Sequence, residues 1–343
     1  MKLLLPRWRA FTLLAALFAI PCSVTAAEKI VKVFILAGQS NMEGKAKVSL
    51  LETQLRQPET QARFAHFAKD GKWIERDDVW IKFWERKGPL TVGYGSPNCI
   101  GPELQFGWTA GDRLSEPVLL IKTAWGGRSL WRDFRPPSAG LPPDAVLEKM
   151  LAKARENKPE TTLEEIKQPF GASYRDMLAE VKTVLADVGA AFPALAGHQP
   201  ELAGFVWFQG WNDMINAEYT AEYASNLAHF IRDVRRDLGA PTLPVAVAEM
   251  GVDGVKASEN VQRFKAAQAA GATLPEFKDN VALVKTDVFW DMEADAVFRK
   301  GWRENREEWD KVGSDFPYHY LGSPKTLCAI GQACAEAVLA LRK

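Results

Sequence analysis

The chain has 343 residues, 47% of them hydrophobic and 25% charged, with Lys plus Arg and Asp plus Glu equal at 43 each. That balance supplies a sizeable core and excludes an intrinsically disordered chain. A formal charge of zero gives no broad attraction to nucleic acid or to an anionic membrane surface.

In chain order, Lys2, Arg7 and Arg9 come before an apolar run from Ala10 to Ile20, and small residues follow from Ser23 to Ala27. These are the parts of a secretory signal peptide. The run is too short to favour a membrane-spanning helix, and Ala19-Ile20-Pro21 before Cys22 is a poor lipidation site. The expectation is a leader over residues 1–27, cleaved after Ala26 or Ala27. The mature chain is then exported, periplasmic or extracellular, with no stable membrane insertion. Cleavage removes the positive charges at Lys2, Arg7 and Arg9 together with Cys22, leaving Cys99, Cys328 and Cys334. An odd count leaves a thiol free unless chains pair. Cys328 and Cys334 point to different faces of a predicted helix, so Cys99 with one of them is the pairing left open.

Short apolar runs then alternate with longer segments of helical period. Strands are predicted at Ile30 to Ala37, Val118 to Lys122, Leu202 to Phe208, Pro244 to Ala248 and Val281 to Lys285. Each is rich in Val, Ile, Leu or Phe, as strands buried on both faces are. Helices are predicted at Glu103 to Leu114, Tyr174 to Val188, Ala217 to Leu238, Ser258 to Ala270 and Lys325 to Leu341. The alternation predicts a three-layer α/β/α sandwich around a mainly parallel five-stranded sheet, with residues 28–343 as a single domain. Residues 45–100, with a small hairpin around Lys72 to Phe83, and residues 131–170 break the alternation. Both read as insertions beside a site.

Four polar clusters stand at loop ends. Gly38-Gln39-Ser40-Asn41-Met42 directly follows the first strand, where ligands bind in an open α/β sheet. Ser40 fits a nucleophile there and fits a helix cap equally well. Lys122 to Leu130 holds the adjacent pair Gly126 and Gly127, which can bring backbone N–H groups close to a ligand. In Gln209-Gly210-Trp211-Asn212-Asp213 a side-chain amide can donate to a developing oxyanion, while Asn212 or Asp213 can also cap a helix. The last cluster, Ser314 to Ser323, contains His319. Of His66, His198, His229 and His319, only His319 combines a loop setting with a nearby acid, as a general base for a serine requires.

Together the clusters resemble the SGNH-hydrolase superfamily, and most closely its sialate O-acetylesterase-like branch, which includes acetylxylan esterases. The branch's GQSNM block matches Gly38 to Met42, followed by Glu43 and Gly44. Its KxxxGG-type block resembles Lys122 to Gly127, and the GxND block is matched by Gly210 to Asp213. Ile100-Gly101-Pro102-Glu103-Leu104 also looks like a segment of that branch. The motifs span roughly Val31 to Gly331, with the insertions poorly covered.

The resemblance implies a flavodoxin-like fold and a serine esterase that removes acetyl groups from a carbohydrate such as sialate or xylan. Ser40 is then the nucleophile and His319 the base. The oxyanion donors are the Ser40 N–H, Gly127 or its neighbour Gly126, and the Asn212 side chain. Gln39, Arg128, Gln209 and Trp211 are the candidate substrate contacts. The family places its acid three residues before the histidine, where this chain has Phe316; Asp315 lies one residue earlier, and a turn at Pro317 is needed to bring it to the ring. Asp310, Asp291, Asp287 or a dyad without an acid remain open. Trp73, Trp80, Trp84, Trp125, Trp131 and Trp211 are candidates for stacking on sugar, and Arg128 for binding an acidic one. No cofactor is implied, and no metal-ligand spacing occurs. The alternatives are an esterase on lipid or short-chain esters and a non-catalytic carbohydrate-binding relative.

Overall fold

The computed structural model describes Lys29–Arg342 and, apart from them, Leu4. But for Leu4, the expected leader lies outside the described residues, as does Cys22. The sheet strands are β1 (Lys29–Gly38), β2 (Val79–Phe83), β3 (Arg86–Pro89), β4 (Val118–Ala124), β5 (His198–Phe208), β6 (Val245–Ala248) and β7 (Val281–Val284). Among the described residues they form one seven-stranded sheet in the order β7-β6-β5-β1-β4-β2-β3. All neighbours run parallel except β2 and β3. The helices used below are α1 (Ser40–Glu43), α2 (Glu103–Arg113), α3 (Ala172–Ala186), α4 (Trp211–Met214), α5 (Ala217–Asp237), α6 (Glu259–Ala272) and α7 (Pro324–Ala340).

The five predicted strands are all present, and two more come from the stretch read as an insertion. Val79, Ile81 and Phe83 are buried while Trp80 and Lys82 are only half so. That alternation marks a strand near a sheet edge, and Asp77, Asp78, Glu85, Arg86 and Lys87 around it dilute the apolar signal. The expected hairpin at Lys72 to Phe83 is therefore displaced to β2–β3. Lys72–Trp73 pairs with Ala68–Lys69 in a separate short ribbon.

Helices cover both faces. On one face α2 and α7 pack on each other, and Phe34 of β1 meets Phe106 of α2 with ring centroids 5.3 Å apart. Burying a phenyl ring in this way stabilises by roughly 2 kcal/mol. On the other face Trp207 and Phe205 of β5 meet Phe230 of α5 at 4.3 and 5.9 Å, and Tyr174 of α3 joins them. The stretch 131–170 carries the helix Asp144–Arg155 and a small cluster of Trp131, Leu147 and Phe170.

Cys99, Cys328 and Cys334 are buried and unbonded, so the pairing left open by the sequence does not form. No helix among the described residues is long and apolar enough to cross a membrane.

The site follows from the strand order. After β1 the chain builds β2, β3 and β4 on one side of it and then crosses to β5 on the other, so β1 stands at the point where the strand order reverses and where such sheets bind ligands. Gly38 is in register with both Ala124 and Phe208, which places the three strand ends at one level.

Candidate functional site

A Cβ on Gly38 would lie 2.1 Å from the Phe208 carbonyl oxygen, so only glycine lets β1 and β5 close at this point. The chain then turns into α1. The Gln39 N–H still donates to Phe208 O at 3.3 Å, and the Trp125 N–H donates to Gly38 O at 3.2 Å. Ser40 is the first residue of α1 and is 8% exposed. Neither its N–H nor its Oγ makes a hydrogen bond among the described residues, as the opening position of a helix allows.

Buried amides fix the neighbouring groups. The backbone N–H of Gly210 donates to Gln39 Oε1 at 3.1 Å, and Gln209 Nε2 donates to the same oxygen at 3.1 Å. A backbone N–H can only donate, so this end of Gln39 is the carbonyl oxygen and the other end is the amide nitrogen. Gln39 Nε2 donates to Asn212 Oδ1 at 3.0 Å. By the same logic, Asn212 is left with its Nδ2 hydrogens free.

Asp213 is wholly buried and accepts from the backbone N–H groups of Leu130 and Trp131, each at 2.9 Å, and from Gln209 Nε2 at 2.6 Å. It clamps the loop after β4 to the loop after β5. Burial pushes its carboxyl up to about 6, against the opposing effect of these hydrogen bonds.

The glycine pair divides its roles. The Gly126 N–H, one of the two expected glycine donors, donates to Glu43 Oε1 at 2.5 Å. Glu43 Oε2 accepts from Lys45 at 2.7 Å and from Ser96 at 2.9 Å. Gly127 has φ +74° with open space where a Cβ would stand, and its N–H is unpaired among the described residues. Beneath them Lys122 is fully buried and donates to Glu43 O, Tyr94 O and Glu103 Oε2 at 2.7–2.8 Å. Three acceptors match the three N–H bonds of an ammonium. Burial lowers its pKa, and Glu103 opposes that effect.

His319 sits in the turn Pro317–Gly322, where Tyr320 and Leu321 have φ of 51° and 60°. Such backbone is costly for residues with a Cβ and persists where surroundings hold it. Here both side chains are buried. Tyr320 OH also accepts from the Gly251 N–H at 2.8 Å and lies 2.7 Å from Thr286 Oγ1.

The turn brings Asp315 Oδ1 to 3.2 Å from His319 Nδ1. The ring N–H is out of line, so Nδ1 lacks a formed hydrogen bond, and Asp315 Oδ1 accepts from the Phe316 N–H at 2.6 Å. Unaligned catalytic bonds are common in ligand-free sites. The other acids are engaged elsewhere: Asp310 with Arg306, Asp291 with Ser323 and Lys325, and Asp287 with Lys265. Asn41 Nδ2 donates to the Tyr318 carbonyl at 3.1 Å, tying the residue after Ser40 to the residue before His319.

Among the expected substrate contacts, Gln39 and Gln209 are each 1% exposed and committed to the amide network. Both side chains fix the groups around Ser40 by hydrogen bonds within the protein. Arg128 is exposed, its guanidinium 3.3 Å from Asp133, and Trp211 is half-buried against Tyr318. Trp131 stacks on Tyr219 at 4.2 Å inside its own cluster, and Trp84 donates to the Ala124 carbonyl at 3.2 Å. The structural work of Glu43 and of Asp213, read only as a motif neighbour and as a helix cap, was missed. The available signal was in each case an acid next to a methionine and within three positions of a glycine.

A mainly parallel sheet with helices on both faces and a polar cluster at its switch point defines a flavodoxin-like fold of the hydrolase type. A family model described as "Carbohydrate esterase, sialic acid-specific acetylesterase" matches residues 30–295, and the chain belongs to that family. It is thus a carboxylic ester hydrolase, a carbohydrate acetylesterase. The matched region ends before Asp315 and His319. An X-ray structure of an Arabidopsis thaliana protein is similar in fold, with 17% identity, 90% of this chain and 98% of that one covered, and a TM-score of 0.52. A carbohydrate acetylesterase from Xanthomonas citri shows 15% identity, 89% and 55% coverage, and a TM-score of 0.46. This chain therefore spans about half of the latter. No curated protein matches in sequence.

Proposed function

We propose that the protein hydrolyses O-acetyl esters on a carbohydrate, a sialate, xylan or related glycan, through an acetyl-serine intermediate. Ser40 Oγ attacks the acetyl carbonyl while His319 takes its proton, and Asp315 orients the imidazole. The oxyanion is held by the Ser40 N–H, the Gly127 N–H and Asn212 Nδ2. The bond to the sugar oxygen breaks, and His319 returns the proton to that oxygen. Water, deprotonated by His319, then attacks the acetyl carbon and releases acetate with Ser40 regenerated. Trp211 and Arg128, both accessible, are the substrate contacts in this reading. The mature protein acts after export.

The observation that carries this reading is the convergence of three separate loops on Ser40: Gly126–Gly127, Gln209–Asp213 and, through the Asn41–Tyr318 bond, the His319 turn. The test is acetate release from acetylated sialic acid, xylan and pectin, together with p-nitrophenyl acetate hydrolysis, by the wild type and by Ser40→Ala. A loss of about a thousandfold or more in the variant is expected. Equal rates in the two would overturn the assignment.

A further inference from the structure

A cavity of about 550 Å³ lies behind the segment that carries Asp315. Phe316 and Trp302 form two of its walls, with ring planes at 87° and centroids 6.3 Å apart. Phe316 is 39% exposed, so part of its ring is open to a ligand. Its ring stacks on Tyr318 at 5.4 Å and 7°, and Tyr318 in turn meets His319 at 4.5 Å and Trp211 at 5.5 Å. An aromatic rail thus runs from the catalytic imidazole to Trp302. Along the cavity wall Arg306 is bound to Asp310 through Nε at 2.8 Å. The pair offers donors and acceptors side by side, as neighbouring hydroxyls on a ring require. Trp302, Arg306, Asp310 and Phe316 all lie beyond Asp295, where the family match ends.

We infer that this cavity is a second sugar subsite, holding an unreacted unit of a glycan chain whose acetylated unit lies at Ser40. The inference rests on the proposed carbohydrate esterase reading and sharpens it: the substrate is an oligosaccharide or polysaccharide, not a free monosaccharide. Aromatic walls take the apolar face of a ring, the Arg306–Asp310 pair takes its hydroxyls, and the rail through Phe316 and Tyr318 spans the distance to the reacting unit.

The test compares kcat/KM on acetylated monosaccharides with that on the matching acetylated oligosaccharides of sialate, xylan and pectin type. It uses the wild type, Trp302→Leu and Arg306→Gln; the second variant alters an exposed side chain and leaves the packed indole in place. The wild type should prefer the oligomer of at least one glycan by about tenfold or more, mainly through KM, and both variants should lose most of that ratio. No length preference on any of the three glycans would overturn the subsite. An equal fall on monomer and oligomer in the variants, or a preference that survives in both, would also overturn it. Absence of Ser40-dependent acetate release from every substrate is a different result, and that one removes the esterase reading itself.

Discussion

Gln39 Nε2 donates to Asn212 Oδ1 at 3.0 Å, and the Gly210 N–H on the far side of Gln39 forces that direction. On the proposed mechanism the consequence is a preset oxyanion donor, because Asn212 Nδ2 stays free of intramolecular partners among the described residues. Gln39→Glu keeps the size of the side chain and its acceptor for Gly210, but has no donor for Asn212, whose amide then turns its nitrogen inward. The expected result is a fall in kcat of about a hundredfold, with KM on p-nitrophenyl acetate little changed. Asn212→Ala should cost a similar factor, and the double variant little more than either alone. Full additivity of the two losses would refute the coupling.

Asp315 stands 3.2 Å from His319 Nδ1 without an aligned bond. Asp315→Asn should therefore lower kcat by about ten- to a thousandfold, well short of the loss in His319→Ala. If Asp315→Ala retains wild-type kcat across the pH profile, the imidazole is positioned by the backbone and the site is a dyad.

Asp213 gives a pH signature. Its folded value, pushed up to about 6, lies above the ordinary aspartate value of 3.8 that applies when the chain is unfolded. Between those values the folded protein binds the extra proton, so this group's contribution becomes less favourable as pH rises through the window and is constant above it. The change amounts to at most roughly 3 kcal/mol. Asp213→Asn removes the titration and sets an amide nitrogen against the Leu130 and Trp131 donors. Thermal unfolding should show the variant less stable at every pH, with the gap to wild type widening from about pH 7 to pH 4. A pH-independent gap would show that Asp213 does not titrate in that range.

Lys122 and Glu103 are a closed pair beneath the site, with side chains 0% and 1% exposed. Lys122→Met leaves Glu103 buried without its cation and the Glu43 carbonyl without its donor. A loss of about 3–5 kcal/mol in unfolding free energy is expected. Replacing both, as Lys122→Met with Glu103→Leu, should recover part of it; no recovery would mean that the lysine's bonds to the Glu43 and Tyr94 carbonyls dominate.

The parts of the fold legible in the sequence were those with uniform surroundings. β1 and β4 are buried on both faces, so their apolar runs announced them. β2 was hidden because its half-buried face carries Trp80 and Lys82 and its flanks are charged. The candidates Ser40, Asn212 and His319 stand out by motif and position, but the hydrogen bonds of Gln39, Glu43 and Asp213 do not. Each acts on a partner more than 80 residues away, and a donor–acceptor sequence across loops leaves no local pattern. The aromatic rail was invisible for the same reason: Trp211 opens α4, Trp302 lies in a turn about 90 residues later, and Phe316 and Tyr318 join them in space.

The three buried thiols are shielded from redox chemistry while the fold is intact. Burial raises the pKa of Cys99 and Cys328 and pushes Cys334 up to about 12, so little thiolate exists at neutral pH to attack or be oxidised. Chemical modification of these three thiols therefore waits on local opening of the fold around them.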